Sequence, residues 1–235
     1  MRGTITALEP QERRGGKRVN VFLDGRYAFS LDAEVALGLR VGEEVTDTTA
    51  AAVLERDQLQ TALDAALTFL GHRPRSEQEI RRRLARKALP PTIVEQVLAR
   101  LREYGLVNDE AFARYWVEQR QTFRPRGARL LKAELRQRGV PTDLAAEVAE
   151  ETEGSADEDA YRAAQKKASQ LASVDERTFR TRLAQFLGRR GFDWDAIAPT
   201  VQRLWEEVST AEAREDTMPA RPRRRPSLRG TGRGP

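Results

Sequence analysis

Three short stretches of this chain share one pattern, and that pattern predicts the fold. Residues 84–89 read LARKAL, residues 135–140 read LRQRGV and residues 187–192 read LGRRGF. The second stretch lies 51 residues after the first, and the third lies 52 residues after the second. Similarity at a fixed spacing of this size is the signature of a tandem repeat. We therefore divide most of the chain into three copies of one module.

Apolar positions also recur in the segment that follows each stretch. Ile93 and Val97 of the first module correspond to Leu144 and Val148 of the second, again 51 residues apart. The corresponding positions of the third module hold Ala196 and Thr200. One module of this size buries only a small core, so we expect neighbouring modules to stack on one another.

The apolar spacing within the first module predicts three helices. The expected buried stripes are, in order, Leu59, Leu63, Ala66, Leu67 and Leu70; Ile80 and Leu84; and Ile93, Val97, Leu98 and Leu101. Ser76, with Glu79 three residues later, predicts a capping box at the start of the second helix. Gly105 is expected to end the third helix as its C-cap.

The same layout is predicted for the second module. Its stripes are Phe112, Ala113, Trp116 and Val117; Leu131 and Leu135; and Leu144 and Val148. Gly139 is expected to end the second helix, and Pro141 opens the third. The third module is less regular, because Pro199 would remove a hydrogen bond inside its last helix and favours a kink there.

The first 45 residues have a different pattern, typical of β-structure. Arg18–Leu23 and Tyr27–Leu31 are rich in β-branched and aromatic residues, and Asp24-Gly25 between them is a strong hairpin turn. Thr4–Leu8 is a candidate third strand. Asp32 is the expected N-cap of a short helix that follows.

These patterns predict a mainly α fold: a tandem array of three three-helix, helix-turn-helix-like repeats behind a small N-terminal β-hairpin cap. The expected domains are the cap with its short helix (1–50), the first module (56–107), the second (108–153), the third (154–208) and a disordered arginine-rich tail (209–235). An acidic segment, 150–159, is expected to act as a hinge before the third module.

The charge of the chain is unevenly distributed. The net charge is +5, but residues 217–235 contain six arginines and no acidic residue. Residues 73–138 carry a net charge of +9, whereas 139–216 carry −7. This separation favours one surface that meets phosphates or an acidic protein.

Composition and motifs argue against an enzyme. The chain has no cysteine and one histidine, His72, so thiol catalysis and clusters of histidine ligands are excluded. It contains no GxxxxGK[ST], GxSxG or HExxH motif. We expect a protein that works without catalysis, cofactor or bound metal. With no signal peptide and no long apolar run, a cytoplasmic location is predicted.

An arginine-rich face on the second helix of the first two modules is the candidate binding surface. The candidate contact residues are Arg73, Arg75, Arg81, Arg82, Arg86 and Lys87 in the first module, and Arg124, Arg126, Arg129, Lys132 and Arg136 in the second. Such a run is often only a solvated face. Its recurrence in adjacent modules, and the suitability of arginine for paired contacts to phosphate or carboxylate, favour binding.

The same helices carry few side chains that would read base edges, apart from Gln78 and Gln137. Contact with a nucleic-acid backbone or with protein is therefore favoured over sequence readout. Phe112, Tyr115 and Trp116 are candidates for stacking on single-stranded bases. For Phe112 and Trp116 the apolar stripe favours core packing instead, and Tyr115 remains open.

Two runs of sequence resemble the RecX family of bacterial regulatory proteins. Arg73–Ile80, followed by Leu84, is similar to the family's first-module signature, and Leu106–Trp116 is similar to its entry into the second module. Gly127 and the Val21–Leu31 hairpin fit as well. The resemblance covers roughly residues 1–208. Two features depart from the family: alanine at position 88, where glycine is usual, and the arginine-rich tail.

The resemblance implies a modulator of RecA recombinase. Members of the family lie along the groove of the RecA filament on single-stranded DNA and inhibit filament extension, ATP hydrolysis, strand exchange and coprotease activity. We accordingly expect a monomer that regulates DNA repair, homologous recombination and the SOS response. Charge reversal at Arg82 and Arg129 is then expected to weaken this inhibition. The alternative is a stand-alone DNA-binding regulator made of tandem helix-turn-helix units.

Overall fold

The computed structural model describes residues 1–12 and 17–217, with only the backbone for 212–217. The chain forms two compact units. The first contains Met1–Phe123 and Ala128–Thr152, and the second contains Arg124–Gly127 and the chain from Glu153 onward. The last 18 residues, which hold six of the seven arginines of the predicted tail, lie outside the described residues.

An antiparallel sheet forms the N-terminal cap, as the hairpin pattern predicts. Its strands are β1 (Gly3–Pro10), β2 (Arg18–Leu23), β3 (Arg26–Asp32) and the two-residue β4 (Glu44–Val45), in the order β3-β2-β1-β4. Both residues of the Asp24-Gly25 turn have positive φ, 49° and 77°, which a tight hairpin requires. The short helix α1 (Ala33–Ala36) starts where expected, with Asp32 Oδ1 accepting from Glu34 N at 2.9 Å. β4 is too short for periodicity to reveal.

A 24-residue helix, α2 (Asp47–Leu70), joins the cap to the first module. It crosses the boundary expected between residues 50 and 56, since Ala50 packs in the core of the sheet and Ala66 in the core of the module. The carboxylate of Asp57 accepts a hydrogen bond from Arg18 Nη1 at 2.9 Å. One predicted core residue is wrong: Leu67 is 40% exposed, because the smaller Ala62 and Ala66 form the face of α2 that packs inward.

The helices of the first two modules follow the predicted stripes. They are α3 (Glu77–Ala85) and α4 (Pro91–Glu103) in the first module, and α5 (Asp109–Phe123), α6 (Ala128–Gln137) and α7 (Thr142–Glu150) in the second. The buried residues that were expected include Ile80, Leu84, Ile93, Val97, Leu98, Leu101, Phe112, Ala113, Val117, Leu131, Leu135 and Val148. Trp116 and Leu144 pack at the edge of the second core.

The third module lies in the second unit and has its own core. A 3-10 turn (Glu153–Ser155) precedes α8 (Ala156–Ser169), α9 (Glu176–Arg189) and α10 (Trp194–Thr217). The 3-10 turn and the start of α8 therefore occupy much of the segment expected to be a hinge. Pro199 sits inside α10, which continues to Thr217, eight residues beyond the expected start of the tail at 209. Leu187, Phe192, Ala196 and Thr200 are buried, so the third copy of the pattern is real.

The backbone confirms the alignment of the three modules. Ala88, Gly139 and Gly191 occupy the same place after the second helix, and all have positive φ: 53°, 88° and 85°. After the latter two, the next amide returns to the helix, with Val140 N donating to Leu135 O at 3.1 Å. This is the left-handed ending that glycine favours, so Ala88 occupies a strained position.

At these positions the backbone also makes close contacts with other segments of the same unit. In the first unit, Ser76 Oγ donates to Arg138 O at 2.6 Å, and a Cβ on Gly139 would lie 2.2 Å from Gln78 Cβ. In the second unit, Gly127 N donates to Arg190 O at 3.0 Å. In the alignment of the modules, position 127 of the second module corresponds to position 76 of the first, and position 190 of the third module corresponds to position 138 of the second. Glycine is therefore required at position 139 for two reasons: the backbone φ is positive, and a Cβ would collide with the Gln78 side chain.

The Ala88 conformation predicts that Ala88→Gly stabilises the first unit. The left-handed region costs an alanine roughly 1–2 kcal/mol, and the greater freedom of glycine in the unfolded chain offsets part of the gain. We expect the free energy of unfolding in urea to rise by about 0.5–1 kcal/mol. The matched control is Ala85→Gly in α3, an exposed helical residue, which should lower it by about 0.5–1 kcal/mol. Destabilisation by both changes would contradict this account.

Candidate partner-binding surface

The buried face of α3 determines which of its basic residues are exposed. Ile80 and Leu84 are fully buried, and the residues on the other side of the helix face outward. The exposed cations are Arg82 and Arg83 on α3, and Arg86 and Lys87 directly after its last residue. Among the residues that the structure describes, Arg86 and Lys87 form no ion pair, so their charges remain available.

Other predicted contact residues of the first module have internal partners. Arg81 forms an ion pair with Glu95 of α4. Arg82 is exposed but donates from Nη1 to the carbonyl of Gln137, near the end of α6, at 3.2 Å. Neighbouring arginines thus differ in whether an internal partner holds their side chain, and their spacing in the sequence does not reveal this difference.

A carboxylate at the junction of the first two modules binds two more arginines. Glu79 accepts paired hydrogen bonds from Arg73 at 2.9 and 3.0 Å, and a third from Arg138 Nη1 at 2.6 Å. Ser76 caps α3 as expected, with its Oγ accepting from Glu79 N at 3.1 Å. The capping box is nevertheless wrong, because the Glu79 side chain turns to the two arginines and away from the Ser76 amide.

The pKa values at this junction reflect crowded charges. Burial alone would raise the pKa of the Glu79 carboxyl, but the hydrogen bonds and charges of Arg73 and Arg138 outweigh it and lower that pKa. Burial lowers the pKa of the Arg138 guanidinium, against the opposing pull of Glu79. Glu79 is therefore ionised at neutral pH, and its charge compensates arginines that would otherwise repel each other.

Trp116 completes the junction on the side of the second module. The guanidinium carbon of Arg138 lies 3.5 Å from the centre of the Trp116 ring, and that of Arg120 lies at 4.3 Å. Glu134 Oε2 accepts from both Trp116 Nε1 and Arg120 Nε at 2.8 Å. Two arginines thus already lie over the Trp116 ring, and Phe112 is buried. Core packing, favoured from sequence for both residues, is confirmed over stacking on bases.

Arg75 covers a second aromatic ring, that of Phe69 at the end of α2. Its guanidinium carbon lies 3.7 Å from the ring centre, and its Nε donates to the Phe69 carbonyl at 3.3 Å. Burial, followed by the charge of Arg73, lowers the pKa of Arg75. Arg75 thus has a packing role in the first module, which sequence reasoning did not anticipate.

The candidate residues of the second module are divided between the two units. Arg129, Lys132 and Arg136 lie on α6 in the first unit, with Arg129 and Arg136 exposed and Lys132 half-buried. Among the described residues, Lys132 and Arg136 form no ion pair. Arg124 and Arg126 belong to the second unit, where Arg124 is exposed and Arg126 half-buried. Whether any of these residues binds a partner stays a prediction.

Exposed aromatic side chains occur at positions that the sequence did not single out. Tyr104, Phe123 and Trp194 are 66%, 73% and 68% exposed. They lie at helix ends, outside the apolar stripes, so periodicity gives no signal for them. Within the described residues, no group of three or more histidine, aspartate or glutamate side chains could hold a metal ion. None of the described helices has the length and hydropathy needed to cross a membrane.

The junction predicts a pH-dependent effect of Glu79→Gln. This change leaves Arg73 and Arg138 without their shared carboxylate, so we expect a loss of about 2 kcal/mol in the free energy of unfolding at pH 7. Because folding lowers the Glu79 pKa, its contribution is complete above the ordinary carboxyl pKa of 4.5 and disappears as the pH falls through the folded-state value. The difference between wild type and variant should therefore shrink in acid.

Urea unfolding at a series of pH values from neutral to acid measures this effect. Glu103→Gln is the matched control, because Glu103 is an exposed carboxylate at the end of α4. It should change stability little at any pH. A Glu79→Gln deficit that stayed constant into acid would show that the charge of the carboxylate is not what matters.

Comparison with known proteins agrees with this architecture. Four RecX family models match the chain: the N-terminal domain at residues 3–46, and the first, second and third three-helix domains at 62–101, 108–148 and 156–199. These ranges correspond to the cap and the three modules.

Individual relatives and solved structures give the same result. The chain is 31% identical to Regulatory protein RecX of Bacillus subtilis (strain 168) over 206 residues, which cover 85% of this chain and 76% of that protein. It is 29% identical to the protein of the same name from Bacillus velezensis over 215 residues, 88% of this chain and 80% of that one.

Among solved structures, a crystal structure of regulatory protein RecX matches with a TM-score of 0.63 and 26% identity, covering 87% of this chain and 98% of its own. RecX from Lactobacillus salivarius has the same fold, with a TM-score of 0.58 at 21% identity, over 63% of this chain and 97% of its own. The ordered set of four domains and the identity to these relatives lead to one conclusion: the chain belongs to the RecX family of regulatory proteins.

Proposed function

We propose that this protein binds the RecA filament on single-stranded DNA and inhibits filament extension, ATP hydrolysis and strand exchange, without catalysing a reaction itself. It would thereby regulate DNA repair and recombination. The observation that carries the proposal, beside membership in a family of regulatory proteins, is a set of exposed cations near the end of α3 and on α6, including Lys87 and Arg136, that form no ion pair with a described residue. These two helices lie in the same unit, and the Glu79 junction ties their modules together.

The physical basis of binding is charge complementarity combined with a preorganised surface. Lys87 and Arg136 are exposed and form no ion pair with a described residue, so a partner need not break an internal salt bridge to engage them. Acidic side chains of RecA and the phosphates of its DNA are suitable partners for such groups. Because the junction holds the backbone beneath them, the conformational entropy lost on binding is mainly that of their own side chains.

A test at Lys87 and Arg136 separates binding from folding. Arg82, one of the two residues singled out from sequence, is less suitable because it donates to the Gln137 carbonyl. We expect the double variant Lys87→Glu, Arg136→Glu to remain folded and to require roughly tenfold more protein for half-inhibition, about 1.4 kcal/mol. The measurement is the ATPase activity of RecA on single-stranded DNA with substoichiometric protein added.

The matched control reverses two exposed charges on α9 of the third module, Arg177→Glu and Arg182→Glu. It should inhibit like the wild type. If a folded Lys87/Arg136 variant also inhibits like the wild type, the assigned surface is wrong. A footprint on one duplex sequence in the absence of RecA, at near-physiological salt, would instead favour the stand-alone DNA-binding regulator.

A further inference from the structure

The two arginines that bind Glu79 in the first unit have counterparts in the second unit. Residues 73–76 read RPRS, and residues 124–127, 51 positions later, read RPRG. The alignment of the modules places an arginine opposite each arginine of the Glu79 junction: Arg124 opposite Arg73, and Arg190 opposite Arg138. The repeat therefore retains both cations of that junction.

The carboxylate of the junction has no counterpart. Position 130 lies 51 residues after Glu79 and holds leucine, which carries no charge. Among the described residues, neither Arg124 nor Arg190 forms an ion pair, although Arg190 is half-buried. Burial, followed by the charge of Arg124, lowers the pKa of the Arg190 guanidinium. The second unit thus keeps two arginines near each other without the negative charge that their counterparts share.

Hydrogen bonds and an aromatic ring hold Arg190 beside the segment 124–127. Gly127 N donates to the Arg190 carbonyl at 3.0 Å, and Arg190 Nη1 donates to the Pro125 carbonyl at 3.4 Å. The Arg190 guanidinium carbon lies 4.7 Å from the centre of the Phe186 ring. In the first unit, the Arg138 carbonyl likewise accepts a hydrogen bond and its guanidinium likewise lies over an aromatic ring. The framework around the two arginines is therefore similar in both units.

We propose that Arg124 and Arg190 bind a carboxylate side chain from an acidic segment of another protein, which takes the place that Glu79 has in the first unit. There Glu79 accepts paired hydrogen bonds from one arginine at 2.9 and 3.0 Å, and a third from the other arginine at 2.6 Å. Because the arginines and their backbone contacts recur, we expect an arrangement that suits one planar carboxylate to recur as well. The bound carboxylate supplies the counter-charge that a half-buried guanidinium needs.

This inference goes beyond the proposed function, because it concerns a surface of the second unit and takes its ligand from the chemistry of Glu79. The cations assigned to RecA binding lie in the first unit and have no part in it. A phosphodiester is the other anion that two arginines recognise. The internal example of this arrangement holds a carboxylate, so we assign a protein ligand, and the experiment compares the two anions.

The test measures the affinity of the full chain for a labelled oligoglutamate peptide by fluorescence anisotropy, with no RecA present. We expect Arg124→Gln, Arg190→Gln to weaken binding about tenfold, as is typical for the loss of hydrogen bonds to a charged group. A labelled oligothymidylate of matched net charge measures the general attraction of the chain for polyanions. Its affinity should fall no further in this variant than in the control.

Arg177→Gln, Arg182→Gln is the matched control, because it removes two exposed charges from α9 of the same unit. It should bind the peptide nearly as the wild type does. Equal loss of peptide affinity in the control and in the site variant would overturn the proposal, since general electrostatics would explain both. Unchanged peptide binding by the site variant would overturn it as well. If the site variant loses as much affinity for the oligothymidylate as for the peptide, the carboxylate assignment is wrong.

Two further variants separate binding from a structural role of Arg190. Arg124→Gln alone changes an exposed residue and should still weaken peptide binding. Arg124→Lys, Arg190→Lys should bind the oligothymidylate like the wild type but the peptide more weakly, because lysine retains the charge without the planar fork. If only variants at Arg190 lose peptide affinity, in step with a loss of stability in urea, Arg190 supports the fold and the proposed site is wrong.

Discussion

The carboxylate of Glu79 accepts hydrogen bonds from arginines of two modules, and the surface built by α3 and α6 depends on this arrangement. Arg73 belongs to the first module and Arg138 to the second, so one partly buried negative charge joins them. Leaving either arginine unpaired would be costly, since a partly buried charge without a counter-charge loses its hydration with no compensation. The stacking of Arg138 on Trp116, and the donation from Ser76 to the Arg138 carbonyl, strengthen the same junction.

This junction divides an arginine-rich sequence into two groups with different physical roles. Arg73, Arg120 and Arg138 support the scaffold, because carboxylates and aromatic rings hold them. Arg86 and Arg136 project from that scaffold with their charges uncompensated by any described residue. An arginine run in a helical repeat can therefore combine residues that hold modules together with residues that have no internal counter-charge, and the position of the nearby carboxylates and rings decides which role each has.

The repeated left-handed position after the second helix links local conformation to this architecture. At Gly139 the backbone must turn and must also approach Gln78 so closely that a side chain would collide. Position 88 follows the first module's second helix, and a Cβ is tolerated there at the cost of backbone strain. The same element of the repeat is therefore under different constraints in different modules, which explains how an alanine can occupy a position where the other copies have glycine.

The sequence by itself determined the repeat, the hairpin of the cap, the cores of the first two modules apart from Leu67, part of the core of the third module, and the family. Those features follow from periodicity and turn chemistry, which act over a few residues and repeat along the chain. Only the tertiary structure decided that Glu79 binds arginines instead of completing a capping box, that Leu67 faces outward and that α2 runs from the cap into the first module. Only the tertiary structure showed that Arg81 forms an ion pair with Glu95, whereas Arg86 forms none with a described residue. The reason is physical: the free energy of a charged side chain depends on the residues that lie within a few ångströms, and for Arg138 that neighbour is 59 positions away along the chain.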